Sequence, residues 1–223
     1  QHRKFGVITS LKHFPGHGSS KDDTHFGVAD VTNTWSDREL EPFKRLIDGG
    51  YADGVMTSHI VNKNLDKNGL PGTLSKDILD GILRKKLGYQ GVVFSDDMQM
   101  QAISKNFGLE ETIRLAINAG VDIMCFSNNI QGSEARTVDK VHAIIRQMVL
   151  NGQISQQRIN ESFQRIKKLK NSLHNLEAVA YESEITRLQD ELSKSNTALK
   201  AANEKMATPT ETKKSKRKRK SKS

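Results

Sequence analysis

Residues 12–25 concentrate side chains that can attack an electrophile, transfer a proton or bind a polar ligand. The segment contains three histidines, two lysines and two aspartates, interleaved with glycines and one proline. A packed core disfavours this mixture, because each buried polar group needs its own hydrogen-bond partner. A loop that leaves the end of a strand suits it, since rigid scaffolds commonly present binding and catalytic groups on loops. We therefore treat the segment as the first candidate site.

Two adjacent carboxylates form a second candidate site. Asp96 and Asp97 directly follow the apolar run 91–95, which has the length and composition of a buried strand. Successive strand residues face opposite sides, so we expect one carboxylate to face a site and the other to brace it or to cap the next helix. A carboxylate at a strand end can serve as a covalent nucleophile. The competing interpretation is that Asp96 itself only caps the helix that follows.

Several blocks of the sequence resemble one known family in their order and spacing. They are KHFPGHG (12–18), an Asp-x-His pair (23–25), VMTSHI (55–60), PGTLS (71–75), GVVFSDDMQM (91–100) and AGVDIM (119–124). Together they resemble the β-N-acetylhexosaminidase branch of glycoside hydrolase family 3, over roughly residues 4–173. The resemblance implies a retaining glycosidase that removes β-linked N-acetylglucosamine from cell-wall or chitin-type fragments.

The resemblance also implies a role for each candidate residue. Asp96 matches the nucleophile, which attacks the anomeric carbon and forms a glycosyl-enzyme intermediate. His25 matches the general acid/base, and Asp23 matches the carboxylate that orients the imidazole and stabilises its protonated form. Lys12 and His13 match positions that hydrogen-bond sugar hydroxyls.

Two further assignments stay open in the sequence. His59 lies at the end of a strand-like run, where it would either line the pocket as a substrate-binding residue or have a structural role. Asp22 is an alternative partner for His25, although the Asp-x-His pattern of the family favours Asp23. Phosphorolysis is an alternative to hydrolysis, because a neutral histidine acid/base repels an anionic phosphate less than a carboxylate does.

The elements that must position these residues alternate between two periodicities, which indicates a parallel sheet built from βα units. The strand-like runs are 5–11, 53–59, 91–95 and 121–126, and the helix-like stretches are 37–49, 75–87, 109–119, 134–151 and 156–173. Four such units are half of what a (β/α)8 barrel requires. With the resemblance, they predict an α/β fold in which residues 1–174 form the C-terminal half of a (β/α)8 (TIM-type) barrel.

The composition changes after residue 174. Residues 175–206 predict a long helix with a heptad seam, which Ser195 interrupts and which consists of Ile185, Leu188, Leu192, Leu199 and Ala202. The seam would mediate self-association as a coiled coil, or the helix would instead pack on the outside of the barrel. Residues 207–223 predict a disordered basic tail.

The charge of the chain is concentrated in that tail. The sequence has 35 Lys and Arg against 26 Asp and Glu, but residues 213–223 hold eight of the basic residues and no acid. The remainder is therefore nearly neutral, with 27 basic residues against 26 acidic ones. A cationic tail attracts nucleic acid or an anionic surface nonspecifically. The alternative function is thus a catalytically inactive half-barrel that acts as a binding module through its helix and tail.

Other classes of function are disfavoured. A metal site at His13, His17, Asp23 and His25 fits no standard zinc spacing, and no phosphate-binding glycine motif occurs, so we predict no metal and no cofactor. The sequence has no apolar run of 18 residues, so we predict no membrane span. The single cysteine excludes an intrachain disulfide. The compartment, whether cytoplasmic or periplasmic, stays undecided.

Overall fold

Six strands are present in the computed structural model, which describes residues 2–24, 27–129 and 138–207. They are β1 (Ser10–Phe14), β2 (Ala29–Asp30), β3 (Gly54–Thr57), β4 (Ile60–Val61), β5 (Val92–Asp97) and β6 (Ile123–Cys125). Four of them form a parallel sheet in the order β1-β3-β5-β6, which follows the order of the chain. The other two, β2 and β4, pair with each other in a small separate sheet. The expected mixed α/β fold with a parallel sheet is confirmed.

Helices lie between the strands of the main sheet, as parallel pairing requires, and two more follow its last strand. They are α1 (Glu41–Asp48), a π-helix (Asp77–Lys86), α2 (Gln101–Ser104), α3 (Leu109–Ala119), α4 (Val138–Leu150) and α5 (Gln156–Ala207). Shorter 3-10 helices occur at His2–Phe5, Asp37–Leu40 and Gly72–Leu74. Within the described residues, no helix combines the length and apolar character that a membrane span needs.

The main core lies between the sheet and the helices that follow its strands. Consecutive residues of β5, Val92 and Val93, are both buried, as expected for a strand that is covered on two sides. The largest buried side chains of this cluster include Phe14, Leu74, Ile78, Leu79, Leu83 and Ile103. A second cluster joins α3 to α4 and to the start of α5 through Ile113, Ile117, Met148 and Ile154. Together these clusters fix the strand ends relative to one another.

The first strand begins later than the apolar run predicts. The run at 5–11 suggested a strand from Phe5, but the structure places Phe5 at the end of a 3-10 helix with 72% of its surface exposed. Gly6 adopts a φ of 67°, and the N–H of Val7 bonds to the carbonyl of His2. This turn redirects the chain, so β1 starts only at Ser10 and includes Lys12 and His13.

A buried carboxylate secures α5 to the base of the sheet. Asp122 precedes β6 and accepts hydrogen bonds from the backbone N–H of Val93 at 3.0 Å and from Arg84 at 2.9 Å. Arg158 and Arg165 of α5 contact its other oxygen at 3.0 and 3.2 Å. Burial alone would raise the pKa of Asp122, but hydrogen bonds from the Ser162 hydroxyl and the Val93 N–H, with the charges of Arg84 and Arg158, hold it below its usual value.

Helix α5 is one continuous element, where the sequence suggested consecutive helices over 156–173 and 175–206. Its first turns pack on the domain, whereas residues 181–204 are exposed at every position. The large apolar side chains of this exposed part are Tyr181, Ile185, Leu188, Leu192 and Leu199, each 50–72% exposed. Of the predicted basic tail, all but Ala207 lies outside the described residues.

Candidate active site

Polar side chains from two strands and one loop line a common cavity of about 590 Å³. It lies at the carboxyl ends of β1 and β5, the two strands that flank β3, and barrel enzymes place their catalytic residues at this edge of the sheet. The structure brings four of the six predicted site residues together in this cavity. They are Lys12, His13, Asp23 and Asp96.

Asp96 and His13 are neighbours across the cavity. Oδ2 of Asp96 lies 3.8 Å from Nε2 of His13, and the two side chains are 19% and 30% exposed. Oδ1 of Asp96 accepts the backbone N–H of Asp97 at 2.8 Å. The Asp96 carboxylate is therefore fixed through one oxygen and accessible to a ligand through the other.

The strands are irregular where the site residues lie. The register between β1 and β3 shifts between Leu11 and Phe14, and that between β5 and β6 shifts between Phe94 and Asp97. Such irregularities re-aim side chains and occur often beside active sites. Here they turn residues of both strands into the same cavity.

Asp97 has a different set of partners from its neighbour. One of its oxygens, Oδ1, accepts the backbone N–H groups of Gln99 at 3.1 Å and Ser127 at 3.2 Å. The other, Oδ2, accepts the Ser127 hydroxyl at 2.5 Å. Asp97 thus connects the end of β5 to the loop that follows β6.

His59 lies beneath the cavity and is fully buried. Its Nε2 is 2.9 Å from the carbonyl oxygen of Asp97, and its Nδ1 is 2.8 Å from Oγ1 of Thr73. Burial lowers the pKa of His59, against the opposing effects of the Asp97 carbonyl and the carboxylates of Asp96 and Asp97. Both ring nitrogens already contact protein groups, which favours the structural interpretation of this residue over contact with a sugar.

Two residues that the sequence did not single out hold the histidine-rich loop. Oε2 of Glu39 accepts the N–H of Gly18 at 3.0 Å, and Nε1 of Trp35 donates to the carbonyl of Pro15 at 3.2 Å. Gly16 between them has a φ of 117°, and a Cβ at this position would lie 2.5 Å from Cβ of Glu39. Glu39 and Trp35 could not be recognised from the sequence, because each contacts a residue about 20 positions away in the chain.

The proposed acid/base pair is described only in part. Asp23 lines the cavity, whereas His25 lies outside the described residues. Asp22, the alternative partner, lines the same cavity, and its carbonyl accepts a hydrogen bond from Ser20 at 2.7 Å. His17 packs its ring edge against His13, with centroids 6.0 Å apart.

The described ranges 2–24, 27–129 and 138–207 contain no group of three or more His, Cys, Asp or Glu side chains arranged to hold a metal ion. The cavity is lined by carboxylates, imidazoles and ammonium groups. This set can supply a nucleophile and hydrogen bonds to hydroxyl groups.

Comparisons with known proteins give this arrangement a family. A beta-hexosaminidase from Tolumonas auensis is 36% identical over 133 residues, which are 58% of this chain and 39% of that protein. A family 3 β-N-acetylglucosaminidase from Paenibacillus sp. str. FPU-7 superimposes with a TM-score of 0.66 at 35% identity, over 78% of this chain and 32% of that one. The beta-glucoside phosphorylase BglX gives a TM-score of 0.66 at 27% identity, over 77% of this chain and 32% of that one.

The chain spans between three and four tenths of the length of these relatives. The sequence model described as "Glycosyl hydrolase family 3 N terminal domain" matches residues 1–169. The motif blocks, the parallel sheet and the clustered carboxylates all lie within that match. The chain therefore belongs to glycosyl hydrolase family 3, with residues 1–169 matching its N-terminal domain.

Proposed function

We propose that this chain carries the catalytic groups of a retaining β-N-acetylhexosaminidase. The observation that carries the proposal is the position of Asp96, an accessible carboxylate at the end of β5 that shares one cavity with His13, Lys12 and Asp23. The substrate class comes from the relatives, which are named beta-hexosaminidase and β-N-acetylglucosaminidase. The substrate would be an oligosaccharide with a terminal β-linked N-acetylglucosamine, as in cell-wall or chitin-type fragments.

The reaction would proceed in two displacements. Oδ2 of Asp96 attacks the anomeric carbon, while the imidazolium of His25 gives its proton to the departing glycosidic oxygen. The imidazole then takes a proton from water, which attacks the glycosyl-enzyme ester and releases the sugar with its configuration retained. The carboxylate of Asp23 orients the imidazole and stabilises its charged form between the two steps.

Lys12 and His13 would hold the sugar beside the nucleophile. An ammonium group offers three hydrogen-bond donors, and an imidazole offers one or two. The 3.8 Å separation of His13 and Asp96 places such donors next to the point of attack.

We also propose that residues 1–174 are the second half of a (β/α)8 barrel. The order β1-β3-β5-β6 is that of consecutive barrel strands, and the chain spans about a third of its relatives. In this arrangement, residues 175–206 are the helical extension and 207–223 the basic tail. The other half of a barrel would complete the wall of the cavity.

Hydrolysis of an aryl N-acetyl-β-glucosaminide tests the proposal. Asp96→Ala should lower kcat by a factor on the order of 10⁴, the scale seen when a catalytic nucleophile or its partner is removed. Asp97→Ala serves as the adjacent control, and its smaller loss should come from the loop that Asp97 holds. Full activity of the Asp96→Ala variant would contradict the assignment.

Phosphorolysis is a second outcome of the same chemistry. A solved relative is named as a beta-glucoside phosphorylase, and a histidine acid/base opposes a phosphate nucleophile less than a carboxylate does. Running the reaction with and without inorganic phosphate separates the two. Release of sugar 1-phosphate would identify a phosphorylase, and release of free sugar at an unchanged rate would identify a hydrolase.

A binding role through α5 is the alternative from a different class. It is favoured by the five large apolar side chains on residues 181–199, whose surfaces are at least half exposed. Their heptad spacing suits self-association with a second copy of the chain. The basic residues at 213–223 would add nonspecific attraction to anions, which salt would weaken steeply.

A further inference from the structure

We propose that His59, Thr73 and Thr57 form a hydrogen-bonded chain that positions Asp96 for attack. This inference rests on the proposed function, in which Asp96 is the nucleophile. It assigns His59 a positioning role in place of contact with the sugar. It also gives a role to Thr57 and Thr73, whose motif blocks otherwise had none.

The hydrogen-bonded side chains begin where the backbone pairing between β3 and β5 ends. Strands β3 and β5 pair through Cα partners up to Met56 and Phe94. Beyond that pair, Oγ1 of Thr57 accepts the backbone N–H of Asp96 at 3.3 Å, and His59 reaches the carbonyl of Asp97 at 2.9 Å. Side chains therefore replace the ladder at the two residues that carry the adjacent carboxylates.

The direction of each hydrogen bond follows from what the groups can donate. The Asp97 carbonyl can only accept, so Nε2 of His59 carries the proton. In the neutral ring, Nδ1 then accepts the Thr73 hydroxyl at 2.8 Å, and Oγ1 of Thr73 accepts the Thr57 hydroxyl at 2.7 Å. The Ser58 carbonyl accepts the N–H of Thr73 at 2.9 Å and also lies 2.9 Å from its hydroxyl, so the single hydroxyl proton of Thr73 is shared between this carbonyl and Nδ1 of His59.

The result is a closed ring of bonds around one peptide unit. It runs from the N–H of Asp96 through Thr57, Thr73 and His59 to the carbonyl of Asp97. The N–H between those two points, that of Asp97, bonds to Oδ1 of Asp96. The backbone is thus held at the N–H of Asp96 and at the carbonyl of Asp97. This restricts rotation of the Asp96 side chain and directs its Oδ2 toward His13.

The complete burial of these three side chains indicates that their hydrogen bonds have a role. Thr57, Thr73 and His59 are all 0% exposed, and burying a polar group costs free energy unless its hydrogen bonds are made. Apolar residues of similar shape would fill the same space. A fully bonded polar network in a low-dielectric interior holds its members in one geometry, which is what a nucleophile needs.

Four variants and one control test the proposal in the chain. Thr57→Val and Thr73→Val keep shape but break the ring, and His59→Leu removes both nitrogens. His59→Gln retains an amide N–H near the position of Nε2. Thr112→Val is the matched control, because Thr112 is an equally buried threonine on α3, outside the cavity.

The proposal predicts a split between the two kinetic constants. A misplacement of the nucleophile of about 1 Å costs on the order of 10²-fold in rate, so Thr57→Val and His59→Leu should lower kcat about 10- to 100-fold. KM should change little, since the sugar-binding groups are untouched, and His59→Gln should recover part of the loss. A kcat for both variants equal to that of Thr112→Val would overturn the proposal.

A second readout separates this inference from the proposed function. Amide hydrogen exchange of Asp96 and Asp97 reports the ring directly and does not need catalysis. Thr57→Val should speed exchange at Asp96 about tenfold, whereas Thr112→Val should not. If the unmodified chain shows no hydrolysis, faster exchange still supports the ring while the proposed function fails; unchanged exchange overturns the ring itself.

Discussion

The guanidinium of Arg158 and the carboxylate of Asp122 lie 3.0 Å apart and join the first turns of α5 to the base of the sheet. Both side chains are largely buried, at 13% and 0% exposure. Asp122 also holds the N–H of Val93 at the start of the strand that carries Asp96. Helix α5 is thus coupled to the element that presents the nucleophile.

Removing this carboxylate should destabilise the domain strongly. Asp122→Ala leaves Arg84, Arg158 and Arg165 without their shared partner, and breaking a buried ion pair costs about 3–5 kcal/mol. Urea unfolding measures the loss. Asp48→Ala, which removes only the exposed pair with Lys44, should change the free energy of unfolding by less than about 1 kcal/mol. Equal effects of the two substitutions would show that Asp122 is not the anchor.

The same carboxylate predicts the sign of one pH dependence. The pKa of Asp122 is lower in the folded chain than its usual value near 3.9. Its contribution to stability is therefore fully present above about pH 4 and is lost as pH falls through the lower, folded pKa. The difference in free energy of unfolding between the unmodified chain and Asp122→Asn should shrink below pH 4. A difference that stays constant between pH 7 and 3 would contradict this.

The segment that follows β1 should tolerate an added methyl group at Gly27 but not at Gly16. Gly16→Ala places a Cβ against Glu39 and forces a residue with a side chain to a φ of 117°, whereas a Cβ on Gly27 meets nothing within 4 Å. The left-handed region costs such a residue roughly 1–2 kcal/mol, and the clash adds to this. Thermal unfolding and kcat/KM should both fall for Gly16→Ala and change little for Gly27→Ala. If the two variants had the same unfolding temperature and the same kcat/KM, the contact between Gly16 and Glu39 would not be holding this segment in place.

The exposed seam of α5 predicts concentration-dependent association. Leu188→Glu and Leu192→Glu put a charge into the apolar stripe and should yield monomers, since a buried unpaired charge disfavours the paired state. Ser193→Glu adds the same charge beside the stripe and should leave association intact. Sedimentation equilibrium distinguishes these states. An unmodified chain that is monomeric at every concentration would exclude self-association through this helix.

The sequence predicted the sheet well because its strands are locally distinct. The apolar runs around Val55, Val93 and Ile123 correspond to β3, β5 and β6, since strands buried on both faces need continuous apolar residues. The run at 5–11 was misleading, because its composition suits a strand but a turn at Gly6 redirects the chain. The two-residue strands β2 and β4 were missed, as segments this short carry no periodic signal.

The site was predictable in its residues and less so in their connections. Asp96, His13 and Asp23 were identified from motif blocks and lie in one cavity. The ring through Thr57, Thr73 and His59 joins positions up to 39 residues apart, so only the folded chain reveals it. The sequence could therefore place His59 at a strand end without showing whether it faces a ligand or the backbone beneath.

The covalent intermediate tests the central claim most directly. A fluorinated N-acetylglucosaminyl fluoride slows the second displacement more than the first, so the sugar should accumulate on the nucleophile. Mass spectrometry of the digested protein should then find the adduct on Asp96, in the peptide that contains residues 91–100. An adduct on Asp97 or Asp23, or turnover of the reagent with no adduct in that peptide, would contradict the assignment of Asp96 as the nucleophile.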